Sequence, residues 1–270
     1  MLEDWNKRGD LVRILVARNL KIRYKGSALG FFWSLLTPAL TILMYAVFAR
    51  ILKFNNGQPR YLEYLVGGII VWGFTAGAMN DALFCIVGNA NLVKKVYFPR
   101  LILPLTTALA SGVNFVLTFV PLVLYLALSG GLDLSHGLWI VPALVFQLAL
   151  CTGICCLVGT FNVFFRDTQH IVGVGQLAWF FLTPVFYYPS MQLEAFPAPP
   201  ALKCLVFLNP MTGVLAMYRR GLMGQELVPA EWAAAVPGWS VGISCAVCVA
   251  VLLAGLWALA AGNRKFGDVL

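Results

Sequence analysis

The sequence predicts an all-α integral membrane protein with six transmembrane helices, an N-terminal amphipathic helix in the membrane interface and a re-entrant external hairpin between helices five and six. Three observations predict it. Of the 270 residues, 60% are hydrophobic and 11% charged, whereas a soluble domain carries about 25% charged and 45–50% apolar residues. The apolar residues gather into six stretches near the length a spanning helix needs, about 20 residues. The 19 Lys and Arg residues fall mainly in alternate connecting segments, as the positive-inside rule requires of a multi-pass chain. Residues 1–270 form a single transmembrane domain.

Residues 1–29 read as a cytosolic interface helix. On a helical wheel Leu11, Leu15 and Ile22 group together with Val12 and Val16 beside them, while Asp10, Arg18, Lys21 and Lys25 group opposite. Ile14 and Arg23 break the pattern. A helix of this kind lies in the interface plane; a merely solvated basic helix is the alternative, and the apolar arc argues against it. The charge of the first 25 residues does not match a secretory signal peptide, so the first apolar span is expected to be a permanent anchor.

The six spans are 30–52, 65–88, 101–128, 138–165, 171–188 and 239–261, the first five within 30–188. Pro38, Pro104, Pro121 and Pro184 fall inside them, which neighbouring helices make tolerable. With the N-terminus inside, 13 Lys and Arg lie in cytosolic segments and 6 outside, so both termini are expected in the cytosol. Region 189–238 holds two short apolar pieces, 201–208 and 211–222, separated by Asn209-Pro210. Neither can span, and together they suggest a hairpin dipping back from the outer surface. Irregular backbone at membrane depth must be buried in protein or line a wet cavity. An external cap without a gating role is the alternative. Residues 239–270 supply span six and a cytosolic tail.

No catalytic constellation is visible. The chain has no GxxxxGK[ST] phosphate loop. His136 and His170 stand apart and make no metal set with the scattered carboxylates. Six of the seven cysteines lie in apolar stretches, including the CAVC at 245–248, where a packing role is expected and no disulfide. Asp81, beside Asn80, is the one acidic residue within an expected span. It is either a functional intramembrane charge or the partner of a nearby Lys or Arg. So few buried charges weigh against a proton- or sodium-coupled carrier.

Two patterns point to transport. Trp33, Tyr45, Trp72, Trp179, Phe186 and Tyr187 are candidate channel-lining aromatics. Interfacial anchoring explains many such residues, but rings with polar edges also suit sugars. In loop 89–105, Leu92, Val93, Val96 and Phe98 interleave with Lys94, Lys95 and Arg100, and Pro99 ends the short helix. Apolar knobs on a basic exposed helix suit docking to a soluble partner.

Four segments in order resemble one family. NLKIRYKGSALGFFWSLLTPAL carries Tyr24, Gly26, Ser27, Leu29, Gly30, Trp33 and Pro38. NLVKKVYFPRLILPL carries Leu92, Lys94, Lys95, Phe98, Pro99, Arg100 and Pro104. FFRD carries Arg166 and Asp167, and LNPMTGVLAMYRRGL carries Asn209, Pro210 and Arg219. Together they resemble the membrane subunit of ABC-2 type exporters, in the branch that exports O-antigen and other cell-surface polysaccharides. Asn19 departs from the family's usual acidic residue, and Leu101 from a common Glu, so no ion pair is argued at either position.

The resemblance implies a permease subunit in the bacterial inner membrane without an ATPase site or cofactor of its own. Two copies would form the pore, driven by two copies of a separate ABC ATPase that binds ATP and Mg. Leu92, Lys94, Lys95, Val96, Phe98, Pro99 and Arg100 would couple to that ATPase. Arg18, Lys21, Arg23 and Lys25 would bind the lipid-diphosphate head of a lipid-linked polysaccharide. Asn209, Pro210, Met211, Tyr218 and Arg219 would form an external gate. Membrane lipid is the remaining partner, and no nucleic acid is implied. The competing readings are the same architecture moving teichoic acid, capsule, a small lipid or a drug; a stand-alone secondary carrier; and a non-transporting anchor.

Overall fold

The computed structural model describes residues 2–27, 29–52, 60–95, 99–187, 206–225, 227, 238–263 and 266. Val96, Phe98 and the first limb of the expected hairpin up to residue 205 lie outside them. Among the described residues all regular structure is helical, in nine α-helices. They are α1 (Leu2–Tyr24), α2 (Trp33–Leu52), α3 (Tyr61–Phe84), α4 (Ala90–Lys95), α5 (Ile102–Leu128), α6 (Ile140–Phe164), α7 (Thr168–Leu182), α8 (Pro210–Met223) and α9 (Val241–Gly262).

Four helical stretches are long and apolar enough to cross a membrane: Tyr61–Phe84, Ile102–Leu128, Gly137–Phe164 and Gly238–Gly262. They match four of the six expected spans. Of the other two, α2 holds a shorter apolar stretch, Trp33–Phe48, and α7 is itself short. Helix α2 carries Pro38 in its interior. Helix α7 has 15 residues, about 22 Å at 1.5 Å per residue, against a hydrocarbon core of about 30 Å. It ends at Thr183 in extended backbone, because the residue before a proline is pushed out of the helical region.

Helix α3 is the central element, with most of its length buried. The α3–α6 seam is held by polar contacts buried among apolar side chains. Gln147 Nε2 donates to the Val71 carbonyl at 2.9 Å and to Thr75 Oγ1 at 3.1 Å. Asn162 Nδ2 donates to the Leu83 carbonyl at 2.6 Å. Such bonds specify helix pairing where the surroundings offer no water. Helices α6 and α9 approach backbone to backbone: a Cβ on Gly255 would lie 2.3 Å from the Gly153 carbonyl oxygen. Cys151, Cys155, Cys156 and Cys248 are buried free thiols in these seams.

The helix ends sort into two groups. At one end Leu15 of α1, Cys85 and Ile86 after α3, Val93 of α4, Ile102 and Leu103 of α5, Val163 of α6 and Leu259 of α9 share a hydrophobic cluster with Phe266. At the other end the 129–139 connection meets α8: Asp133 N donates to the Leu222 carbonyl at 2.7 Å. The middle of α1 packs onto the bundle: Leu15 is buried and Leu11 and Val12 pack beside it. Ile14 and Ile22 remain exposed.

Candidate functional site

One face of α3 borders open space along the whole helix. Residues at helical spacing, Tyr61, Leu65, Ile69, Gly73, Gly77, Asp81 and Phe84, line three abutting cavities. From Tyr61 to Phe84 this face runs about 35 Å. The cavity at the α4 end has a volume of about 570 Å³ and is walled by Arg18, Asn19, Asn80, Asp81, Asn89 and Thr107 among others. The middle cavity, about 370 Å³, lies between α2, α3 and α5 and is lined by Trp33, Thr37, Gly73, Gly77, Ser111 and Asn114. The third, about 200 Å³, is lined by Tyr45, Phe48, Tyr61, Phe180, Phe181 and Phe186. Arg23 borders both the first and the second, and Ile69 both the second and the third. The middle stays open because α3 carries glycine there; a Cβ on Gly73 or Gly77 would meet nothing within 4 Å.

Two of the four cations expected at a lipid head are engaged within the chain. Arg18 Nη2 donates to Asn89 Oδ1 at 2.6 Å. Arg23 forms an ion pair with Asp81, and Asp81 Oδ2 also accepts from Ser111 Oγ at 2.9 Å. Asp81 thus has a basic partner, and three helices meet at that carboxylate. The Arg23 and Asp81 side chains keep 30% and 41% of their surface exposed; a pair this open is worth about 1 kcal/mol or less in water. Lys21 and Lys25 are exposed.

The candidate aromatics divide. Trp33 lines the middle cavity, and Tyr45 and Phe186 line the third. Trp72 is buried, packed edge-on to Trp179 with ring centroids 5.4 Å apart. Trp179 Nε1 donates to Asn209 Oδ1 at 2.9 Å. Tyr187 meets the Phe186 ring edge-on at 5.0 Å, and its hydroxyl donates to the Phe181 carbonyl at 3.0 Å. Sequence reasoning missed Phe48 and Tyr61 as lining residues. It missed Gly73 and Gly77 as well, whose only signal was the i, i+4 spacing of small residues within a span.

The candidate gate residues sit on or next to α8, which is buried on nearly all sides. Asn209 caps the helix by accepting from Met211 N at 3.1 Å, and Pro210 takes the first helical position, the arrangement both residue types favour. Asn209 Nδ2 also donates to Thr183 Oγ1 at 2.9 Å, tying α8 to the end of α7. Thr75 Oγ1 donates to Met211 Sδ at 3.3 Å. Tyr218 packs its ring against Phe115 and Phe119. Arg219 is buried and donates to the Val185 carbonyl at 3.1 Å. At the C-terminus of α8, Arg220 Nη2 lies 2.9 Å from His136 Nε2, and His136 Nδ1 lies 2.8 Å from Ser135 Oγ.

Of the loop expected to couple to a partner, Val93 is buried in the end cluster and Leu92 half-buried, while Lys94 and Pro99 are exposed. Lys95 closes α4. Arg100 is turned back onto the bundle: Nη1 donates to the Asn263 carbonyl, and its guanidinium carbon sits 5.5 Å from the Phe266 ring centroid.

The ABC-2 type transporter family matches residues 10–223. The chain is 32% identical over 230 residues to the O-antigen export system permease protein RfbA of Myxococcus xanthus, covering 85% of this chain and 86% of that protein. It is 29% identical over 220 residues to the O-antigen export system permease protein RfbA of Klebsiella pneumoniae, covering 81% and 82%. With a helical membrane architecture and a family match spanning α1 to α8, the chain belongs to the ABC-2 type transporter family.

Proposed function

We propose that the chain is the permease subunit of an ATP-driven exporter that carries a lipid-linked polysaccharide of the O-antigen type from the cytosol across the inner membrane. The observation that carries this reading is the groove along α3, long enough to cross a bilayer, polar and basic at one end and aromatic at the other. The names of the relatives supply the cargo class. Aromatic faces stack on the C–H faces of sugars without holding any one unit tightly, which suits a polymer that must keep moving.

In this reading the chain crosses the membrane six times with both termini in the cytosol, α2 and α7 completing the crossings with the residues that flank them. Two copies face each other across the groove, so that each contributes one wall. Helix α4 and the segment through Arg100 seat in a cleft of the partner ATPase, two copies of which bind ATP and Mg. Asn209, Pro210, Met211, Tyr218 and Arg219 hold the outer end of the path, and α8 returns toward the membrane as the second limb of the hairpin. Helix α1 lies along the inner leaflet and offers Lys21 and Lys25 to the anionic lipid head. A polymer longer than the bilayer cannot be enclosed whole, so transport proceeds by repeated strokes through an open conduit.

The test is genetic and chemical together. A strain lacking this chain is expected to accumulate lipid-linked glycan on the cytosolic side and to lose it from the surface. Restoring the chain together with its ATPase is expected to restore export. Normal surface glycan in the deletion strain overturns the reading.

A further inference from the structure

We infer that Arg23, Asp81 and Ser111 form a latch between the two cavities nearest α4, and that a phosphoryl group on the cargo's lipid head opens it by taking Arg23 from Asp81. This rests on the export reading above and adds to it how cargo is admitted. Arg23 lines both cavities, Asp81 the one nearer α4 and Ser111 the middle one, so the ion pair stands on their shared wall. It joins α1 to α3 while Ser111 holds α5 to the same carboxylate oxygen. Both charged side chains are still partly exposed, so an anion in the first cavity can reach the guanidinium without unfolding anything.

The competition favours a phosphate. A guanidinium matches phosphate oxygens with two parallel N–H donors, and a diphosphate carries more charge than one carboxylate. The first cavity is prepared for an acceptor-rich group. Arg18 Nε is buried in its wall without a hydrogen-bond partner among the described residues, and Lys21 and Lys25 lie exposed on and just beyond the same helix. Release does not strand Asp81, because Ser111 Oγ still donates to it at 2.9 Å. Asp81 is therefore the gatekeeper of the middle cavity, and Arg23 the group that reports the cargo's head.

The experiment reads entry into the middle cavity. A Gly77→Cys variant of the full chain, in inside-out vesicles of phosphatidylcholine, is exposed to a charged, membrane-impermeant thiol reagent, and the parent chain's labelling is subtracted. Adding polyprenyl diphosphate to the membrane is expected to raise labelling severalfold, and polyprenol to leave it unchanged. No rise with polyprenyl diphosphate overturns the latch. An equal rise with soluble pyrophosphate overturns its assignment to a lipid head. Adding Asp81→Asn is expected to give the high rate without any lipid, and low labelling there overturns the latch. The charge exchange Arg23→Asp with Asp81→Arg is expected to return labelling to the low rate, which separates a broken latch from a broken fold. Surface glycan in the deletion strain tests the export reading alone, so either idea can fail without the other.

Discussion

The guanidinium carbon of Arg219 lies 3.3 Å from the centroid of the Tyr64 ring. A cation on α8 thus stacks on an aromatic face of α3, and the same guanidinium donates to the Val185 carbonyl at 3.1 Å. Tyr64 is itself fixed, its hydroxyl donating to the Tyr187 carbonyl at 3.0 Å. Arg219→Lys keeps the charge but loses the planar stack, and is expected to cost about 2 kcal/mol, as for a desolvated cation–π pair. Tyr64→Phe keeps the ring and loses only the hydroxyl bonds, for about 1 kcal/mol. Thermal unfolding of the purified protein in detergent checks the order; a Tyr64→Phe loss larger than that of Arg219→Lys contradicts it.

The α6–α9 crossing has no room for a methyl group. A Cβ on Gly153 would lie 2.6 Å from the Val251 carbonyl oxygen, and the obstruction is backbone. Gly153→Ala and Gly255→Ala are each expected to destabilise by about 1–3 kcal/mol through overpacking. Gly173→Ala and Gly175→Ala on α7 meet nothing within 4 Å and are expected to be neutral or slightly stabilising, since alanine is the better helix former. Melting temperatures of the four variants side by side decide the matter.

The opposite logic applies at Gly77. A side chain there enters open space in the groove instead of a packed seam. Gly77→Phe is expected to leave the melting temperature within about a degree of the parent, less than the roughly 2–4 °C that loss of 1 kcal/mol takes from a domain of 150–250 residues, while abolishing surface glycan. Full export by a stable Gly77→Phe protein places the path elsewhere.

Asp133 supplies the pH dependence at the α8 end. The Ser135 backbone N–H bonds its carboxylate at 2.9 Å; that bond, then the Ser135 side chain and the charges of His136 and Arg60, hold its pKa below the usual value. A lowered folded pKa means its stabilisation is complete above the unfolded value, about 3.9, and fades as pH falls through the folded one. Asp133→Asn is therefore expected to melt below the parent at neutral pH and to converge with it in acid. Melting curves across that range would falsify the assignment if the gap widened toward low pH.

Much of the architecture was legible because membrane-length apolar runs leave few alternatives. Span 101–128 became Ile102–Leu128 with nearly the same ends. The Asn209-Pro210 pair announced the start of α8 through its capping chemistry. The early end of α7 was written in Thr183-Pro184, which the apolar count overrode. What the sequence could not disclose was which residues meet. Arg23 and Asp81 are 58 positions apart, and Trp72 and Trp179 pair across two helices instead of both facing a path. Residue type marks a tryptophan as a lining candidate, but only the packing of α3 against its neighbours shows whether the ring or a glycine fronts the groove.

The bond from Arg18 to Asn89 and the shared cluster of Leu15, Ile86, Val93, Ile102 and Leu103 tie α1 to the turn before α4, to α4 and to the start of α5 at one corner. A push that shifts α4 must carry α1 along or tear apolar surface from apolar surface. A displacement at that corner is therefore felt by α1, and through it by Arg23, as soon as it is felt by the start of α5.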